Sequence, residues 1–338
     1  MDRRKFVKQS GQLAGLFSLA GLSSFNKESW MQPQTVRTIY PVSLAQWSLN
    51  KAIREKKLSN LDFARKSREL GFDAIEYVNQ LYQIDQANQL ASIKSLVAEL
   101  KKRSSDQGVK NVQIMVDNEG SLCATDKKQR QEALSKHKLW IDASAELGCV
   151  STRLNLFGDS EKDPARWKDL SVESLTILSD YAAPAGINVV VENHGGLSSD
   201  GTKLADVMKT VDRKNCGTLP DFGNFCVKRE GGAQWGAACV EQYDIYKGTE
   251  ELMPYAKGVS AKTFDFKPDG TEATIDYPRM FRIIRDSGFN GYIGIEYEGD
   301  HLGEEEGIIA TRKLLEMVMP ANARHSCPAR EVTPSYGA

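Results

Sequence analysis

The run VVVENHGG at residues 189–196 places Glu192, Asn193 and His194 directly behind three valines. Consecutive β-branched residues fit a strand buried on both faces, so a carboxylate and an imidazole emerge where that strand ends. Two other apolar runs end the same way: CGTLPDF (216–222) delivers Asp221, and YIGIEYEG (292–299) delivers Glu296. These are side chains of acid–base chemistry and of metal ligation. If the three acids meet in one half-buried cavity, they cannot all stay ionised without a counter-charge. A divalent cation held by Glu192, Asp221 and Glu296 answers that need. Hard oxygen ligands suit Mn, Mg or Co, and a nearby imidazole widens the choice to Zn. Pairing with Lys262 and Arg153 is the alternative.

Such residues meet only if the elements carrying them converge, and the chain repeats one phrase that makes them do so. RKSRELGFDAIEYVN (65–79), DASAELGCVSTRLNL (142–156), DYAAPAGINVVVEN (180–193) and RDSGFNGYIGIEYEG (285–299) each run from a helix end through a glycine into a short apolar strand. Gly71, Gly148, Gly186 and Gly288 are placed as left-handed helix C-caps. Further strands are expected at 42–48, 112–118, 216–222 and 258–264. Helices are expected at 60–70, 85–104, 127–147, 171–184, 203–213, 248–256, 277–286 and 303–318, with Ser59 and Asp62 as a capping box for the first. Eight strands alternating with eight helices predict an α/β protein, a single (β/α)8 TIM barrel spanning 36–320. An open doubly wound sheet would want a G-x-G-x-x-G turn after the first strand, and AQWSLNKAIRE has none. A barrel collects its chemistry at the C-terminal ends of its strands. Those ends supply Trp47, Glu76, Arg153, Asn155, His194, Asn224, Ser260 and Lys262 beside the three acids.

The rest of the composition narrows the class. The 338 residues are 26% charged and 41% hydrophobic, with 44 basic against 45 acidic side chains, so no basic surplus points to nucleic acid. No run reaches the roughly 20 apolar residues of a membrane span. MDRRKFVKQS, with Arg3 and Arg4, precedes the mildly apolar GQLAGLFSLAGLSSF and resembles a twin-arginine export signal. Residues 1–35 are therefore read as signal and linker, with export to the periplasm expected. Residues 321–338 are read as a polar tail. The six cysteines show no C-x-x-C spacing, and buried thiols are expected over bridges, Cys149 and Cys216 standing where strands begin, with a disulfide left open in an oxidising compartment.

E-N-H-G on the fifth strand, P-D-F-G-N on the sixth, V-S-A-K on the seventh and G-I-E-Y-E-G on the eighth resemble the xylose-isomerase-like barrel superfamily. That group includes sugar isomerases and epimerases of the tagatose-epimerase and inosose-dehydratase kind, and endonuclease IV-like repair enzymes. The resemblance covers residues 40–318. It implies a divalent metal held by Glu, Asp, His and Glu from strands five to eight, which here maps onto Glu192, Asp221 and Glu296. The chain departs from the pattern twice: Ser260 stands where the family often has His, and Asn224 stands where a His often follows the strand-six Asp. The repair branch needs many histidines, and this chain has four.

The resemblance also implies a carbohydrate substrate and proton abstraction from carbon beside a sugar carbonyl. Glu192 and Glu296 would carry the proton, His194 would bond a substrate hydroxyl or carbonyl, and Lys262 would steady the oxyanion or hold Glu296. Trp47, Glu76, Arg153, Asn155, Asn224 and Ser260 complete the expected substrate contacts. Isomerase, epimerase and keto-sugar lyase or dehydratase all fit this step. A carbohydrate-binding barrel without catalysis is the reading that Ser260 and Asn224 favour.

Overall fold

Eight parallel strands wind around one axis in the computed structural model, which describes residues 39–319. The expected leader at 1–35 and tail at 321–338 lie outside the described residues. The barrel strands are β1 (Val42–Ala45), β2 (Ala74–Val78), β3 (Lys110–Met115), β4 (Ser151–Leu154), β5 (Asn188–Glu192), β6 (Cys216–Leu219), β9 (Val259–Thr263) and β10 (Ile293–Tyr297). Their order is β6-β5-β4-β3-β2-β1-β10-β9. The ring closes between β6 and β9 through single parallel bridges, Thr218 to Ala256 and Asp221 to Ser260. The eight-fold β/α reading of the sequence therefore holds.

The helices that cover the strands are α1 (Asn50–Arg54), α2 (Phe63–Glu69), α3 (Gln89–Gln107), α4 (Lys127–Leu147), α5 (Pro164–Ala182), α6 (Gly201–Val211), α7 (Ile245–Leu252), α8 (Tyr277–Asp286) and α9 (Glu304–Val318). Asp126, Asp163, Asp200, Asp244 and Asp276 accept backbone N–H bonds at the starts of α4 to α8, satisfying donors that a helix start leaves unpaired. Gly71, Gly148, Gly186 and Gly288 all take positive φ, between 70° and 83°, as their place after helix ends requires. Ser59 caps a short 3₁₀ turn through Leu61 N–H, but no capping box forms: Asp62 pairs with Arg65 and Arg103 instead. Leu44, Ile75, Val189 and Ile295 point from the strands toward the helices and are fully buried, and Trp140 on α4 and Trp167 on α5 are buried in that same layer.

An antiparallel hairpin, β7 (Cys226–Arg229) and β8 (Cys239–Gln242), interrupts the alternation after β6. A disulfide joins Cys226 to Cys239, their Cα atoms 5.8 Å apart. This corrects the preference for thiols and realises the alternative of a bridge. Cys123, Cys149 and Cys216 are buried thiols, but strand pairing brings together two cysteines 13 residues apart whose spacing carried no motif. Among the described residues no helix is long and apolar enough to cross a membrane.

Candidate functional site

Closure of the ring brings the three acids together. One oxygen each from Glu192, Asp221 and Glu296 lies within 4.8 Å of the others, and the residues are 2%, 0% and 5% exposed. Glu192 Oε1 accepts from Asn224 Nδ2 at 2.9 Å, and its Oε2 lies 2.9 Å from Arg153 Nε. The Arg153 N–H is not aimed along that line, so the contact is a charge contact rather than a directed hydrogen bond. Asp221 Oδ1 accepts from the backbone N–H groups of Gly223 and Asn224. Asn193, the middle residue of E-N-H, clamps the β6 turn by accepting from Asp221 N and donating to Asp221 O.

Two cations face the cluster. Lys262, 1% exposed, places Nζ 3.2 Å from Glu296, 3.1 Å from Glu298 and 3.6 Å from Asp221. Arg153 also bonds Asp117 at 2.6 Å. Five carboxylates against two cations leave an excess of negative charge in a buried place. Burial accordingly pushes Glu192 up, Asp221 up to about 6 and Glu296 up to about 8, against the opposing pull of Arg153 on Glu192 and of Lys262 on Asp221 and Glu296. Burial also works to raise Asp117 and Glu298, but Arg153 and Lys262 outweigh it and hold them below the usual carboxylate range.

Ser260 Oγ lies 2.6 Å from Asp221 Oδ2 and 2.9 Å from Glu296 Oε2. A hydroxyl has one proton to give. Both contacts are satisfied when Ser260 donates to Asp221 and a protonated Glu296 donates to Ser260, in accord with the raised Glu296.

Above the acids opens a cavity of about 660 Å³. Trp47, Asn155, His194, Asn224 and Glu298 line it. His194 Nδ1 lies 3.0 Å from Asn155 Oδ1, while Asn155 Nδ2 donates to Asp117 Oδ1 at 2.6 Å. The Asn155 carbonyl oxygen can only accept, which assigns the proton to His194 Nδ1 and leaves Nε2 as an acceptor. Burial, with Arg153 nearby, lowers His194 to about 4, so the ring is neutral at pH 7. Trp47 stands by Glu298 and helps hold its carboxyl low, after Lys262, and the Arg54 guanidinium covers the Trp47 ring at 4.6 Å.

The predicted residues thus divide by depth. Trp47, Asn155, His194 and Asn224 reach the cavity; Arg153, Ser260 and Lys262 lie beneath it as partners of the acids. Glu76 does neither. It is 2% exposed and bonded to Ser43 and Gln113 inside the barrel, where Gly294 leaves room for its carboxyl. Its substrate role is withdrawn, because its position on β2 is two residues short of the strand's end. Trp235, on the β7–β8 hairpin, was not foreseen; it lines the cavity and packs on His194 with ring centroids 4.5 Å apart. The one available signal was a tryptophan in a glycine-rich segment between two cysteines.

Residues 64–317 match the xylose isomerase-like TIM barrel family. This chain belongs to that family. Within it, inosose dehydratase of Geobacillus thermodenitrificans is 27% identical over 144 residues, 39% of this chain and 47% of that enzyme. Across three such dehydratases the chain spans 47–65% of their length. The solved 3-keto-D-glucoside 4-epimerase of E. coli superposes with a TM-score of 0.61 at 14% identity, covering 82% of this chain and 99% of that one. A xylose isomerase-like barrel protein of Mycobacterium smegmatis, in complex with magnesium, gives 0.59 at 18%, covering 83% and 98%. At these identities the likeness is one of fold.

Proposed function

We propose that this chain is an exported enzyme of isomerase or epimerase type that removes a proton from carbon beside the carbonyl of a keto-sugar. The observation that carries the reading is the buried trio Glu192, Asp221 and Glu296 beneath a polar cavity. The trio's donor set fits a divalent cation. Three carboxylate oxygens converge, the Ser260 hydroxyl stands beside two of them, and the cluster is short of positive charge. Among the described residues no imidazole joins the three, which favours Mn or Mg over Zn. When bound, such a cation polarises the carbonyl and stabilises the enediolate.

The chain's own residues supply the rest. Glu192 from β5 and Glu296 from β10 are the two glutamates of the trio, one to take the proton and the other to return it on the opposite face. His194 Nε2, as an acceptor, takes a bond from a substrate hydroxyl. Asn224, besides holding Glu192, reaches the cavity and can meet a second hydroxyl. Lys262 keeps positive charge against Glu296 throughout.

A lyase reading shares this site. The carbanion formed beside a carbonyl can expel a neighbouring hydroxyl instead of being reprotonated, and the sequence match to inosose dehydratases favours that outcome. Export is supported by the paired arginines near the start and by the Cys226–Cys239 bridge, since disulfides persist in oxidising compartments. Substrate class follows from the polar cavity and from the kinds of sugar named for the relatives.

The test is solvent exchange: 3-keto-glucosides are incubated with Mn²⁺-loaded protein in D₂O and followed by proton NMR. Deuterium should enter beside the carbonyl with the wild type and not with Glu192→Gln or Glu296→Gln. Binding of the sugar without exchange or product would instead mark a carbohydrate-binding barrel.

A further inference from the structure

The hairpin that interrupts the barrel carries a feature the proton-transfer site does not use. Trp235 leaves 44% of its surface exposed, yet it is fixed on three sides. It packs on His194 at 4.5 Å and meets Phe157 edge-on at 5.7 Å. Gly195 borders the indole on a third side, where a Cβ would sit 3.4 Å from the ring, in ordinary van der Waals contact. The hairpin itself is closed by the Cys226–Cys239 bridge, and Arg229 bonds Ala237 O across it at 2.9 Å. Arg229 and Gln234 line the same cavity as Trp235. A large aromatic held rigidly at the mouth of a polar cavity is a surface for stacking, because it offers apolar area at little cost in conformational freedom.

The depth of the groups sets what stacks there. The acids lie at the bottom, almost without exposure; His194 is half-buried above them, and Trp235 is open at the rim. A sugar ring placed for proton transfer at the acids and His194 occupies the deep end. The cavity, at about 660 Å³, lies within the range that holds drug-sized ligands and leaves space beyond one sugar ring on the side where Trp235 stands.

Resting on the keto-sugar reading above, we propose that Trp235 forms an outer subsite for a second ring joined to the reacting sugar through its glycosidic bond, so that the substrate is a glycoside rather than a free monosaccharide. The ring stacks flat on the exposed indole, and the disulfide holds the hairpin ready for it. An aryl aglycone and a second sugar present the same flat apolar face, and binding measurements separate them.

The experiment is calorimetric titration of the Mn²⁺-loaded protein with three probes: methyl 3-keto-glucoside, phenyl 3-keto-glucoside, and a 3-keto-glucoside carrying glucose as its aglycone. One or both ring-bearing probes should bind roughly three- to tenfold more tightly than the methyl probe. Trp235→Ala should bring that ratio toward one, Trp235→Phe should keep most of it, and Cys226→Ser with Cys239→Ser should reduce it. Far-UV circular dichroism confirms that each variant is folded. A ring preference absent from the wild type, or one that survives Trp235→Ala, overturns the subsite while leaving the deep site intact. If none of the probes binds, the keto-sugar reading falls and the subsite falls with it.

Discussion

Asn155 decides what His194 can do. Its amide is oriented by Asp117, so its carbonyl oxygen faces the imidazole and fixes the Nδ1–H tautomer. Asn155→Ala should leave the fold intact and lower the exchange rate roughly 10–100-fold, the usual cost of losing an orienting partner. Asn155→Asp should instead draw a proton onto His194 and raise its pKa, which an NMR titration of the ring reads directly. Glu296→Gln should cut exchange roughly 10²–10⁴-fold without lowering the melting temperature, because a neutral amide that can donate to Ser260 takes the place of a protonated carboxyl; retained activity would sink the assignment. Lys262 makes the opposite case. Lys262→Met leaves buried carboxylates unpaired and should destabilise the metal-free protein by about 3–5 kcal/mol. Thermal melts with and without Mn²⁺ should show the cation restoring most of that loss, and stabilising the variant more than the wild type. A variant that melts normally in chelator, or gains nothing from Mn²⁺, would show that the cluster needs no such counter-charge. The acids, His194 and Lys262 were legible in the sequence because each directly follows an apolar strand. The role of Asn155 was not, since it depends on Asp117 arriving from β3, 38 residues away.

At the scale of elements, the barrel was readable because its local signals agree: a glycine ends a helix, a short β-rich run begins, and polar residues close it. Boundaries drifted where neighbours override propensity. The strand expected at 216–222 stops at Leu219, since Pro220 cannot donate to the ladder and the chain then turns so that Asp221 bridges to Ser260. The helix expected at 171–184 starts instead at Pro164, whose fixed φ suits a first helical turn capped by Asp163. The hairpin escaped notice because its strands are four residues each and its loop is rich in glycine. Its bridge closes a loop that spans 13 residues, a length for which the chain-entropy account gives about 3 kcal/mol. That stabilisation belongs to the hairpin and not to the closed barrel beneath. Reduction should therefore expose residues 230–238 to limited proteolysis while the barrel's melting temperature moves little. A collapse of the whole melting transition on reduction would show that the bridge supports the barrel itself.

For the whole molecule, acid stability is governed by groups that the fold holds in the wrong protonation state for water. His137, on α4, is 3% exposed, and its Nδ1 donates to Ala133 O at 2.8 Å. Burial lowers it from 6.5 to about 4. In the unfolded chain His137 takes up a proton as the pH falls through 6.5, while the folded chain resists until about 4. The unfolded state binds more protons across that window, so stability present above pH 6.5 declines as the pH drops toward 4. The full loss from this one residue is about 3 kcal/mol. Asp221 and Glu296, whose folded values are raised, act in the opposite sense over part of the same range, because the folded state then holds the extra protons. The wild-type profile is consequently a sum of opposing slopes, and the difference between two proteins isolates one of them. His137→Leu keeps an apolar group in place and removes only that titration. Denaturant melts at pH 7.5 should differ between the two proteins by the cost of repacking alone. From pH 6.5 to 4 the variant should gain on the wild type by about 3 kcal/mol. A constant difference across the window would mean that His137 is already free to take its proton in the folded chain, through water reaching α4 from the cavity that His137 also lines.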